Sequence, residues 1–267
     1  MSRIAVALSD SLVIAKRNVI KIKRVPEVLI FVLISPIMFV LLFSYVFGGA
    51  TVIGAEEYTE FLIGGIFAQT IVFGATFTGA GLAEDMSKGI IDRFRSLPMS
   101  RSAVVVGRTA SDVIYNALTL VVMSLTGLLV GWGIHNGVMD ALVAYGLLLL
   151  FGYSISWIMA FVGLLVPSVE VINNASFIVI FPLTFIANTF VPVETLPSVL
   201  RTIAEWNPVS AVTQASRELF GNIPAGAPAP DVWPLQNPVL YTLIWVVIFI
   251  AIFAPVSIAR YRRVKSR

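Results

Sequence analysis

Side chains able to do covalent or metal chemistry are few and scattered in this chain. It has no cysteine and one histidine, His135, so thiolate nucleophiles, disulfides and thiol-ligated metals are excluded. His135 stands in a short stretch between apolar runs, and no set of Asp, Glu and His shows metal-ligand spacing. No G-x-x-x-x-G-K-[ST] phosphate loop occurs. These absences predict a chain that is not an enzyme and holds no metal or cofactor of its own.

The residues best suited to mechanical work lie between Glu84 and Arg101, in the segment EDMSKGIIDRFRSLPMSR. It mixes Glu84, Asp92, Arg93 and Arg95 with Ile90, Phe94 and Leu97, and is too apolar for a plain solvated connector. A short helix ending near Leu97 and stopped by Pro98 would present Ile90, Phe94 and Leu97 on one side, as a helix docking into a groove does. The alternative is a connector at headgroup level held by its arginines.

The elements that position this segment are apolar helices. Of 267 residues, 58% are hydrophobic and 12% charged, and the mean hydropathy is +0.92, which places the chain outside the soluble class. Apolar runs of about 20 residues, or ~30 Å of helix, occur at 28–47, 61–83, 113–132, 142–166, 171–190 and 239–258. The expected fold is therefore an all-α membrane protein with six transmembrane helices. Pro36 is expected to kink the first, and Gly64, Ala68, Ala75 and Gly79 give the second a stripe that lets a neighbouring backbone approach. Ahead of them, residues 4–24 place Leu8, Leu12, Ala15, Val19 and Ile22 on one face and Asp10, Arg17, Lys21 and Arg24 on another. That pattern suits a helix lying on membrane lipids, or one packing on a partner. The expected division is an interfacial helix over 1–27, one transmembrane domain over 28–259 and a basic tail over 260–267.

Orientation follows from the 18 Lys and Arg residues. Six precede the first run, five lie between the second and third (Lys88, Arg93, Arg95, Arg101, Arg108) and five follow the last (Arg260, Arg262, Arg263, Lys265, Arg267). The two exceptions, Arg201 and Arg217, stand in the long segment before the sixth run. With six spans this bias puts both termini in the cytoplasm. It also assigns the basic charge, with a pI near 9.3, to membrane topology and not to nucleic acid.

An ion-coupled carrier would place ionisable side chains inside its spans. Asp112 and Glu170 fall only at edges, and Gln69, Asn116, Asn173, Asn174 and Asn188 are neutral, as interhelical hydrogen-bonding residues usually are. Uphill movement would then need energy from another protein pushing on the chain.

The Glu84–Arg101 pattern resembles the inner loop of permease subunits of type-2 ABC exporters, particularly the bacterial daunorubicin-resistance group. The amphipathic N-terminal helix, the six runs and the stretch FVPVETLPSVL through WNPV, residues 190–209, agree with that family over nearly the whole chain. The resemblance implies a permease of the bacterial inner membrane that exports amphipathic or hydrophobic compounds (drugs, lipids or glycolipids), a class associated with multidrug and antibiotic resistance. It implies two copies of a separate ATP-binding cassette subunit carrying ATP and Mg, a second permease half, identical or related, and membrane lipids as partners. Glu84, Asp92, Arg93, Phe94, Arg95, Leu97 and Pro98 would then form the coupling helix between spans two and three. Spans one, two and five would border the substrate path, with Phe39, Phe43, Phe181, Phe185 and Asn188 as its candidate lining; aromatic residues at helical spacing serve equally as packing or lipid contacts. Prolines 192, 197 and 208 interrupt the segment between spans five and six, which is expected to re-enter the outer leaflet. There Leu196, Val199, Leu200, Ile203 and Trp206 would form an external gate, with Glu194, Arg201 and Glu205 facing water, or else an interfacial anchor. Two readings of other classes stay open: a membrane scaffold or sensor that docks a cytosolic protein, and an ion-coupled secondary transporter.

Overall fold

The computed structural model describes residues 3–24, 34–35, 37–47, 55–96, 98–100, 102–166, 168–224 and 226–263. All regular structure among them is helical. α1 spans Arg3–Arg24; α2, over 37–42, runs into a π-helical turn at Phe43–Phe47; α3 is Ala55–Gly74, α4 Thr76–Ser87 and α5 Ile90–Ser96. α6 is Ala103–Leu129, α7 Val138–Gly163 and α8 Val169–Phe185. α9 is Ser198–Glu205, α10 Pro208–Phe220, α11 Trp233–Gln236 and α12 Pro238–Arg263.

Four helical stretches are long and apolar enough to cross a bilayer: Glu57–Ser87, Ala103–Leu129, Val138–Gly163 and Pro238–Arg263. These match the second, third, fourth and sixth expected runs, and α8 is a shorter apolar helix at the fifth. The first expected run is described only from residue 34, and Pro36 lies outside the described residues.

The α3–α4 pair is the centre of the bundle, with 78% of its apolar window buried, whereas α12 buries 17% of its own. Small residues explain the difference, as their spacing predicts. A Cβ at Gly79 would press on the Met159 carbonyl, and one at Gly163 of α7 would overlap the backbone of Gly79, so α4 and α7 touch main chain to main chain. Gly64 and Gly65 receive the Arg217 side chain and the Thr189 carbonyl in the same way. The pair breaks at Ala75, next to the place where the Asn116 amide of α6 lies against Gly74.

α1 packs along α6. Its buried stripe is Ser11, Ile14, Ala15 and Asn18, fitted over Gly107, where a Cβ would collide with the Ser11 carbonyl and the Ile14 side chain. Leu12, Val13 and Ile20 face outward. Of the apolar face read from the sequence, Ala15 is therefore buried and Leu12 exposed: Ile14 with small and polar residues docks the helix on protein, while Leu12, Val13 and Ile20 remain on its outer side.

The segment after α8 turns back into the bundle. Prolines 197 and 208 start α9 and α10 and do not break longer helices; Pro208 occupies the first position of α10, where a missing N–H costs nothing. Asn207 caps α10, its Oδ1 accepting from the Val209 N–H (2.9 Å) while its Nδ2 donates to the carbonyls of Leu183 (2.7 Å) and Ile186 (2.8 Å). One side chain thus ties the end of α8 to the start of α10. Gly221, at φ 79°, ends α10 in the left-handed conformation.

Candidate functional site

Three constellations stand out: at the α4–α6 loop, which the expected topology makes the inner end, in the middle of the bundle, and at the opposite end, the outer one in that topology. The expected short helix of the inner loop is α5. It stops at Ser96 ahead of Pro98, which cannot continue a helix. Ile91 is fully buried in a cluster with Leu82, Val104, Val105, Trp157 and Tyr261, and Phe94 packs partly buried against the same cluster. The Arg17 guanidinium of α1 lies 5.0 Å from the Phe94 ring centroid. Phe94 therefore anchors α5 to the bundle, while Arg93, Ser96 and Pro98 are exposed and Asp92 half-buried. Glu84 pairs with exposed Lys88 at 2.6 Å, one turn along. Leu97 and the Arg95 side chain lie outside the described residues.

Sequence reading missed the clamp that α1 forms on this loop. Arg17 pairs with buried Asp85 at 2.9 Å, Asp10 accepts from the Ser100 N–H at 2.8 Å, and Asn18 donates to Ser111 of α6 at 3.2 Å. Both ends of the loop are thus fastened to one helix, α1. The available signal was weak, because Arg17 reads as one of five clustered basic residues and Asp85 as the neighbour of Glu84. Just inside the bundle, Asp112 of α6 accepts hydrogen bonds from Thr78 of α4 and Ser156 of α7. One turn before it, Arg108 donates to the Phe77 carbonyl at 2.7 Å.

In the middle, a cavity of about 430 Å³ opens between α2, α3–α4, α6 and α8. Phe39 and Phe181 line it, with Phe73, Phe77, Tyr115 and Asn116. From it a continuous series of aromatic contacts runs along α8 and returns down α2. Centroid separations are 4.9 Å for Phe177 and Phe181, 4.0 Å for Phe181 and Phe185, and 4.7 Å for Phe185 and Phe190. They continue at 4.8 Å from Phe190 to Phe43 and 5.7 Å from Phe43 to Phe39. The structure so joins Phe39, Phe43, Phe181 and Phe185 through Phe190, which had no signal of its own.

Asn188 belongs elsewhere. It sits at the outer end, where Arg217 of α10, 1% exposed, points into the bundle. The guanidinium donates to the carbonyls of Phe61 (2.7 Å) and Thr189 (3.0 Å) and to Asn188 Oδ1, and it stacks 3.4 Å from the Phe61 ring centroid. Asn188 Nδ2 donates to Gln214 Oε1, and Gln214 Nε2 to Glu218 Oε1, each at 3.0 Å. Burial pulls the Arg217 pKa down from its ordinary value, opposed by Tyr58 and Glu194; burial pushes the Glu218 carboxyl up, opposed by the Gln214 amide. An outer pocket of about 410 Å³ reaches Arg217, Glu194 and Glu218.

Along α9 and its C-cap, Val199, Leu200, Ile203 and Trp206 are exposed, the Trp206 ring standing edge-on to Tyr241 at 6.5 Å, and Leu196 is half-buried. Glu205, expected in water, is buried and held by Arg201 at 2.7 Å, which also reaches Asp231 at 3.0 Å. The ion pairs turn the polar side of α9 toward the Asp231 turn, leaving its apolar side outward.

A family model described as ABC-2 type transporter matches residues 10–220. A daunorubicin resistance ABC transporter permease protein of Streptomyces coeruleorubidus is 37% identical over 216 residues, 81% of this chain and 76% of that one. A probable doxorubicin resistance ABC transporter permease protein of Mycobacterium tuberculosis is 22% identical, covering 88% of this chain and 81% of its own length. A putative transport permease of Pyropia yezoensis is 24% identical over 78% of this chain and 72% of the relative.

Proposed function

Because this chain belongs to the ABC-2 type transporter family and is a multi-pass membrane permease, we propose that it exports amphipathic or hydrophobic compounds on energy from a separate ATP-binding subunit. The relatives are named as permease proteins of ABC transporters, which supports a division of labour with such a subunit. In this reading two ATP-binding subunits, carrying ATP and Mg, join two permease halves, identical or related, in a bacterial inner membrane. Six spans put both termini in the cytoplasm, α1 lies at the inner surface with its outward apolar residues in lipid, and the 191–208 segment re-enters the outer leaflet as a gate. The names of the relatives favour drugs as cargo over lipids or glycolipids.

The observation that carries the reading is the setting of α5, a seven-residue helix between two long apolar stretches. Its exposed Arg93 and Pro98 offer a docking surface, while Ile91, Phe94 and the α1 clamp make it rigid with the bundle. A push on α5 is then a push on α4 and α6. The test is Arg93→Glu beside Phe94→Asp, co-expressed with the ATP-binding subunit. Both variants should insert at normal levels, and Arg93→Glu should lose at least tenfold in efflux and in co-purified ATPase. Undisturbed association sinks the coupling role. Association without any transport would support a scaffold, and transport by the purified chain alone under an ion gradient would support a secondary carrier.

A further inference from the structure

We infer that Asp112 is a proton-binding site inside the bundle: it carries a proton while α4, α6 and α7 are packed as here, and gives it up to water when α4 withdraws. The sequence put Asp112 at the edge of a span, but α6 begins at Ala103. The carboxyl therefore lies ~14 Å along a helix long and apolar enough to cross a bilayer, and the residue is 4% exposed. Its contacts are hydroxyls from two other helices, Thr78 of α4 and, at 3.3 Å, Ser156 of α7; both donate to the same oxygen, Oδ2. Among the described residues no basic group forms an ion pair with it. A carboxylate so placed loses its hydration without gaining a cation, whereas the neutral acid accepts from both hydroxyls at no such cost.

Arg108, one turn earlier on α6, makes the proton exchangeable. Its guanidinium is turned toward α4, donating to the Phe77 carbonyl at 2.7 Å and resting on Gly81, where a Cβ would collide with it. Its buried Nε has no partner among the described residues. Phe77 and Thr78 are neighbours in sequence, so one short stretch of α4 holds Arg108 and Asp112 apart. When α4 withdraws, both lose those partners together, and residues 108 and 112 have the i,i+4 spacing at which opposite charges pair on a helix. The parted state thus favours the carboxylate, paired with Arg108, and the packed state the acid. Other ionisable groups of the elements packed on α6 are spent or remote. Arg17 of α1 pairs with Asp85 of α4 at 2.9 Å, and Lys88 with Glu84 at 2.6 Å. Asp10 of α1 accepts from the Ser100 N–H, and Lys16 is exposed. Glu57 and Glu60 of α3 and Asp140 of α7 belong to the opposite end. Beside Tyr115 of α6, Tyr153 of α7 and Arg260 and Tyr261 of α12, Arg108 is the residue whose charge acts on Asp112. The packed state then holds one proton more than the parted one. Raising the pH should therefore lower the ratio of packed to parted molecules, by up to about tenfold per pH unit.

Two measurements on the purified full-length chain in lipid nanodiscs test this, and neither needs an ATP-binding subunit, so the proton site and the export reading fail separately. The first is carbon NMR of the native chain with its six aspartates labelled at Cγ. At ~pH 5.5, where an aspartate in water is ionised, one signal should stand at the position of a protonated carboxyl, and Asp112→Asn or Asp112→Ser should remove it. A native spectrum with all six ionised overturns the site without any variant; a protonated signal that survives both substitutions does the same. The second measurement uses the absence of cysteine. Spin labels on Ser87→Cys at the end of α4 and on exposed Ile114→Cys of α6 report the separation of the two helices. Raising the pH through the titration seen by NMR should move the population toward the longer distance, by up to about tenfold per unit. Asp112→Asn, permanently neutral, should remove that response. Distances independent of pH in the native background overturn the release on parting, and a response that persists in Asp112→Asn overturns Asp112 as its source.

Discussion

Arg217 offers the sharpest test of how the outer end is held. Arg217→Met keeps the apolar stem against Gly64 but removes the guanidinium, leaving the Phe61 and Thr189 carbonyls and Asn188 Oδ1 without their donor. Each buried acceptor so stranded costs about 1–3 kcal/mol. Against this, the cation no longer has to be desolvated, which recovers several kcal/mol in a real interior. With about 2 kcal/mol for each of the three acceptors and about 3 kcal/mol recovered from desolvation, the net expected loss is about 3 kcal/mol. At ~2–4 °C per kcal/mol for a domain of this size, the melting midpoint should fall by roughly 6–12 °C. Arg217→Lys keeps the charge but not the planar fork that serves several acceptors at once, so it should fall between Met and the parent. The measurement is thermal unfolding of the purified proteins in one detergent at one scan rate, since such transitions depend on rate. A midpoint for Arg217→Met within ~3 °C of the parent, or full rescue by lysine, would refute the view that a multidentate cage organises this end.

Two further outcomes test the inner end and the core. Arg17→Glu should leave insertion intact but cost about 3 kcal/mol or more, because it strands the buried Asp85 carboxylate beside a second carboxylate. It should also uncouple ATPase stimulation from transported compound in the assembled complex, and the swap Arg17→Glu with Asp85→Arg should restore it; no recovery would mean that the pair does not transmit. Gly163→Leu should prevent normal packing of α7 on α4, with a loss above ~3 kcal/mol, whereas Gly146→Leu, where an added Cβ meets nothing within 4 Å, should melt like the parent. Equal melting of the two would show that the backbone contact at Gly79 is dispensable.

The features legible in the sequence were those set by solvent. Apolar runs long enough for a bilayer located the helices α3–α4, α6, α7 and α12, and the small residues 64, 68, 75 and 79 marked the most buried one. What stayed hidden depends on partners that have no pattern. Arg217 looked like a stray basic residue because its acceptors are main-chain carbonyls and one amide, and α10 looked like loop because its buried face is Ser, Ala and Thr as much as Val. Phe94 was expected on a docking surface, since sequence shows that a short helix has an apolar side but not which body claims it. The apolar side of α9 could not be oriented for the same reason, and the pairing of Arg201 with Glu205 and Asp231 decided it.

The contacts of α1 and of Asp112 converge on α6, and that bears on how a push at α5 could reach a ligand. α6 begins within a few residues of the inner loop at Ala103 and meets α1 at Gly107 and Ser111. It is pinned to α4 and α7 by Asp112, and one turn later it borders the aromatic cavity with Tyr115, Asn116 and Thr119. From Ala103 to Asn116 is about 20 Å of helix at 1.5 Å per residue. In the export reading, a tilt imposed at the loop is resisted at Gly107 and delivered at Asn116, so the element that receives the push and the wall that would hold the cargo are one rigid body. The Asp112 contacts with Thr78 and Ser156 then set the pivot. Loosening them should weaken coupling before it disturbs the cavity walls, a separation that a wire of loosely connected side chains would not produce.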